Sequence, residues 1–204
     1  MTCERQALNP VQKHDQELNH SDKLRADTVH GAIKSTLVHF DALDQDKDGF
    51  LTVPELQNMA DKKVGGALAK RIDAIQSLSN DEWFFENDGI TREDLATLDH
   101  MSLNMAKDMA MARDIRETGE RNFYALKGDD SKITKIELTN AAHSNNFSTC
   151  DSEALKNAVN NFVSIGHKPT KFSRKISAPH FKEFEGEVKE RFTLVDTLAS
   201  DLNK

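Results

Sequence analysis

Asp44-Gln45-Asp46-Lys47-Asp48-Gly49-Phe50-Leu51-Thr52-Val53-Pro54-Glu55 is the stretch from which the rest of the chain can be read. Three aspartates alternate with other residues, a glycine follows them, and a glutamate closes the run. A hard cation such as Ca²⁺ takes about six to eight oxygens at about 2.3–2.6 Å, and a tight loop can turn nearby carboxylates onto one point. The alternation directs Asp44, Asp46 and Asp48 inward, and Gly49 permits the sharp turn after them. The Phe50 carbonyl supplies the next oxygen, and Thr52 coordinates directly or through a water. Glu55 arrives from the exiting helix and chelates with both oxygens. The competing reading is an acidic, solvated loop that matches the pattern by chance.

The end of this loop belongs to a repeat. Leu51-Thr52-Val53-Pro54-Glu55-Leu56 returns as Ile90-Thr91-Arg92-Glu93-Asp94-Leu95, as Ile133-Thr134-Lys135-Ile136-Glu137-Leu138 and, more weakly, as Ile176-Ser177-Ala178-Pro179-His180-Phe181. Successive copies lie 39, 43 and 43 residues apart, a near-constant spacing that points to a repeated structural unit. Each copy reads as a helix start. The Thr or Ser is the N-cap and the acid three places on completes a capping box. Pro54 and Pro179 fall in the first turn, where a missing N–H costs little.

Apolar residues at helical spacing precede each loop: Val29, Ile33, Leu37, Phe40 and Leu43 before the first, and Leu68, Ile72, Ile75 and Leu78 before the second. Phe123 and Leu126 stand before the third copy, Phe162 and Ile165 before the fourth. The pattern predicts helix–loop–helix four times over.

On the loop at 44–55, its flanking Phe40, Leu43, Leu56 and Met59, and the fourfold repeat, the chain resembles EF-hand proteins of the calmodulin and sarcoplasmic calcium-binding type. The resemblance covers about residues 27–202. It implies an all-α fold of four EF-hand helix-loop-helix units paired into two lobes, with Leu51 beside Ile90 and Ile133 beside Ile176. The expected division is an N-terminal tail or short helix over 1–22, a first pair over 23–101 and a degenerate second pair over 102–204.

The full ligand set is present only in the first unit: Asp44, Asp46, Asp48, Phe50, Thr52 and Glu55, holding Ca²⁺ and tolerating Mg²⁺ poorly. In the second loop, 81–94, Trp83 and Phe85 stand where acids belong. Scaffold packing is the favoured reading there, with an irregular site from Asp81, Asn87 or Asp88, Thr91 and Asp94 as the alternative. The third, 126–137, keeps Glu137 but lacks the first two acids, leaving Asp129 and Asp130 as its other candidates. The fourth has His180 in the chelating place and Lys171, Arg174 and Lys175 within the loop, charges that repel a cation.

Composition agrees with a cation binder. The 27 Lys and Arg against 34 Asp and Glu give a net charge of −7, which argues against a nucleic-acid face. No apolar run approaches the ~18 residues of a membrane span, and no secretory h-region is readable near Met1, so the expected setting is cytoplasmic. Cys3 and Cys150 make no framework and are expected to be reduced. None of His14, His20, His30, His39, His100, His143, His167 and His180 forms a metal-ligand motif. No nucleophile elbow, P-loop or dinucleotide fingerprint is present, so no enzymatic activity is expected.

Two functional classes follow. One is a single-site Ca²⁺ sensor or Ca²⁺-stabilised module that binds a partner protein helix. The other is an intracellular Ca²⁺ buffer whose groove does not open. Met101, Met105 and Met109, with Met111, would suit a sensor's groove, but a packed apolar stripe is the favoured reading.

Overall fold

The computed structural model describes residues 10–52, 54–56, 58, 89–127, 131–166 and 175–203, with side chains from Glu17 onward. Helix predominates and the only named strands among these residues form a two-stranded sheet, so the protein is all-α. The helices are Pro10–Leu43, Arg92–Leu126, Lys135–Ala142, Thr149–Asn160, Phe162–Ile165, Ala178–Arg191 and Thr193–Leu202. A helical turn also holds Pro54, Glu55 and Leu56.

The chain forms two compact units. One comprises Leu18–Ala106 with Phe192–Lys204, the other Met1–Glu17 with Lys107–Arg191. In the first, Val29, Ile33, Phe40 and Leu43 lie four, seven and three residues apart, on one face of the Pro10–Leu43 helix, and are buried. Leu37, on the same expected stripe, is only half-buried, and Thr36 takes the inner place with its hydroxyl donating to the Ala32 carbonyl at 3.0 Å. The helix starts on Pro10, inside the stretch read as a tail or short helix, and runs without a break through residue 22. The Arg92–Leu126 helix opens with Glu93 and Asp94 in its first turn, where the helix dipole favours negative charge. Leu95, Leu98 and Met105 from its first half lie in this core.

The core of the other unit collects Met109, Ala112, Ile115, Phe123 and Leu126 with Leu155, Phe162, Phe181, Phe184 and Val188. Met105 and Met109 are thus both buried, which fits the packed-stripe reading. Gly119 lets the ring of Phe181 close on the helix backbone: a Cβ there would sit 2.5 Å from a ring carbon. Arg116 pairs with Glu185 across the same unit and with Glu120 at 3.3 Å along its own helix. Lys135–Ala142 and Thr149–Asn160 start on Thr134 and Ser148 N-caps.

Cys150 is disulfide-bonded, against the expectation of two reduced thiols. That expectation rested on there being too few cysteines for a framework, and a single bridge needs no framework. Among the described residues no helix is long and apolar enough to cross a membrane.

Candidate metal centre

The Pro10–Leu43 helix closes on an Asp44 N–H to Phe40 carbonyl bond of 2.8 Å, which sets Asp44 at the mouth of the loop. The aspartates then organise the backbone themselves. Asp46 Oδ1 accepts from the Asp48 N–H at 3.2 Å, Asp48 Oδ1 from the Phe50 N–H at 2.8 Å and Asp44 Oδ2 from the Gly49 N–H at 3.1 Å. These are the short-range side-chain turns that Asp forms readily. Two residues carry left-handed backbone, Lys47 at φ 62° and Gly49 at φ 90°. Glycine meets that requirement without strain, and Lys47 bears it against its own Cβ.

The result is a convergence of charge. One carboxylate oxygen from each of Asp44, Asp46 and Asp48 lies within 4.8 Å of the other two. Ligands at about 2.5 Å from one ion stand up to about 5 Å apart, so the triplet fits around a single cation. Asp44 is 7% exposed, and its Oδ1 is buried with no hydrogen-bond partner. A buried carboxylate oxygen without a donor is costly, and a cation would satisfy it. Asp46 and Asp48 remain exposed on the solvent side, an entry path for an ion. Among the described residues no other group of three metal-capable side chains converges in this way.

Glu55 plays a different part. Its Oε2 accepts from the Thr52 N–H at 2.9 Å and the Thr52 hydroxyl at 2.8 Å, while Oε1 accepts from the Gln45 N–H at 2.7 Å. One carboxylate therefore ties the beginning of the loop to its end. Burial pushes the Glu55 acid up, but the bonds from Thr52 and from the N–H groups of Gln45 and Asp46 outweigh it and hold it below its ordinary value. The Phe50 ring stands partly exposed while its N–H is engaged by Asp48. Gln45 has no place in the sequence pattern, since it acts through its main chain; its side chain accepts from Asn58 Nδ2 at 3.1 Å.

Leu51 exchanges both backbone hydrogen bonds with Ile90, at 2.9 and 3.0 Å, and Ile133 pairs with Ile176 in an antiparallel two-residue sheet. All four side chains are fully buried. The pairs are those that the resemblance implies.

The cap repeats with them. Asp94 accepts from the Thr91 N–H at 2.9 Å, and Glu137 from the Thr134 N–H at 2.7 Å, each with the hydroxyl bond beside it. At the fourth copy His180 Nδ1 accepts from the Ser177 N–H at 3.3 Å, so the imidazole stands in for the acid as a cap. Residues 81–88, 128–130 and 171–174 lie outside the described residues, and with them Asp81, Asn87, Asp88, Asp129 and Asp130.

A cleft of about 630 Å³ adjoins Asp44 and is walled by Phe40, Thr91 and Arg92. Arg92 lies 4.3 Å over the Phe40 ring and pairs with Asp41 at 2.5 Å. Compared with models of known families, with curated proteins and with solved structures, the chain shows no match.

Proposed function

We propose that this protein binds one Ca²⁺ ion at the 44–55 loop, within an EF-hand type arrangement of four helix–loop–helix units in two lobes. Asp44, Asp46 and Asp48, the Phe50 carbonyl, Thr52 and Glu55 would supply the oxygens. The observation that carries the reading is the buried, unpartnered Asp44 Oδ1 converging with oxygens of Asp46 and Asp48. The paired Leu51–Ile90 and Ile133–Ile176 segments, each followed by a helix start held from three residues on, support the fourfold arrangement. Glu55 would reach the ion by exchanging its bonds to Gln45 and Thr52 for coordination. Ion binding thereby couples to the start of the helical turn at 54–56. That coupling supports a Ca²⁺-responsive or Ca²⁺-stabilised interaction module with a protein helix as partner. The second reading is a buffer whose groove stays closed, in which Met105 and Met109 remain buried with the ion bound.

The test is a calorimetric Ca²⁺ titration of the chelator-stripped protein beside Asp44→Ala, in millimolar Mg²⁺. The expected result is one site in the parent and none in the variant. Binding that survives the substitution would move the site elsewhere, and no binding in the parent would refute the proposal. An apolar dye added with and without Ca²⁺ separates module from buffer.

A further inference from the structure

The loop 143–148 joins the Lys135–Ala142 and Thr149–Asn160 helices. It is fixed at both ends. The Ser144 N–H donates to the Ala141 carbonyl at 3.1 Å, and Ser148 Oγ accepts from the Asp151 N–H at 3.1 Å. Between these points Asn146 donates its N–H to Ser144 Oγ at 3.4 Å and stands exposed in a turn. Among the described residues none bonds its side-chain amide, which is left to solvent.

Asn146-Phe147-Ser148 has the Asn-x-Ser form of an N-glycosylation acceptor. Such a triplet is weak by itself, and the chain holds a second, Asn19-His20-Ser21. The structure separates the two. Asn19 is half-buried within the Pro10–Leu43 helix, whereas a glycan is bulky and needs an open surface position. Asn146 has that position. A second observation concerns the compartment. Cys150, four residues beyond Asn146 and itself exposed, is disulfide-bonded. Disulfides form and persist in oxidising settings such as the endoplasmic reticulum lumen, the place where asparagines of this triplet receive their glycans.

We propose that Asn146 carries an N-linked glycan, added on a secretory route and contrary to the cytoplasmic expectation. In the transfer, Nδ2 of Asn146 bonds to the anomeric carbon of a lipid-diphosphate-linked oligosaccharide. The bond from that carbon to the diphosphate oxygen breaks with its electron pair, and Nδ2 gives up one proton. The glycan then stands on the 143–148 loop without displacing a described contact. The inference is independent of what the 44–55 loop binds.

The test is the intact mass of the full chain purified from the cells that make it, before and after the amidase that releases N-glycans. Treatment should remove the whole oligosaccharide mass and leave an aspartate in place of Asn146, with Asn19 unchanged. The same chain re-expressed in those cells with Ser148→Asp should lack the glycan from the start. Aspartate keeps the N-cap oxygen and destroys only the acceptor triplet, so its helical circular dichroism should match the parent. An unmodified Asn146 overturns the proposal, as does a glycan that survives Ser148→Asp or sits on Asn19 instead. A Cys150 that alkylates as a free thiol in the unreduced protein overturns it as well, since the oxidising route would then be absent.

Discussion

The loop that begins at Asp44 and the segment that leads to His180 share a design and differ in the side chains that complete it. Both place a buried aliphatic residue on a short antiparallel pair and then start a helix with a Thr or Ser whose N–H is held from three residues on. At 52–55 the holder is a carboxylate that also reaches back to Gln45, and three aspartates converge upstream. At 177–180 the holder is an imidazole. The cap and the aliphatic pair serve the fold, and either end group suffices for them. Collecting a cation needs more, namely the aspartates and an acid long enough to span the loop. The aliphatic pair and the cap can therefore be built with either an acid or an imidazole as the holder.

The strongest way to break this comparison is to remove the holder in each unit. Glu55→Ala should reduce Ca²⁺ affinity by more than tenfold, a loss above about 1.4 kcal/mol, while Glu137→Ala should leave calorimetric affinity unchanged. Equal effects would mean that Glu55 is a cap and not a ligand. Next in size is Gly119→Ala. With Phe181 against the backbone, the added methyl should cost about 1–3 kcal/mol by overpacking, seen as a lower denaturant midpoint with Ca²⁺ stoichiometry intact. A neutral result would show that the ring can move aside.

Smaller still, His180→Glu should turn a weak cap into a full box and stabilise the protein by about 0.5 kcal/mol without adding a Ca²⁺ site. A second site in the titration would show that the cap residue alone decides ion binding. The finest distinction is in pH. Glu55 is held below its ordinary value of 4.5 in the folded state, so its contribution is complete above that value and fades as pH falls through the lower folded value. In the metal-free protein, Glu55→Gln should flatten the acid limb of stability measured by urea unfolding. An unchanged limb would mean that the Thr52 and Gln45 bonds are dispensable.

Much of this was legible in the sequence because the signals are local. The alternation of Asp44, Asp46 and Asp48 ahead of Gly49 specifies turns made by neighbouring side chains, and Thr134 with Glu137 specifies a cap within one helical turn. Periodicity located Val29, Ile33, Phe40 and Leu43 in a core. What escaped depends on partners distant in the chain. Nothing between 92 and 126 marks where one unit yields to the other, since the helix runs on while its buried face changes company. The affiliation of 192–204 with residues 18–106, which the Arg25–Asp196 pair joins, is not visible from position. His180 as a cap also escaped, because an imidazole accepts through one nitrogen and the box pattern names only acids.

The bracing of Gln45 and Thr52 by a single carboxylate has a thermodynamic consequence. Hydrogen bonds within the protein wind the loop, so the conformational entropy of ordering it is lost at folding. For the proposed cation, the three aspartate oxygens would form a pre-shaped partial shell that Glu55 joins only by letting go of its hydrogen bonds. Ion exchange would then be governed by the swing of Glu55, a side-chain motion, rather than by the slower winding of a loop.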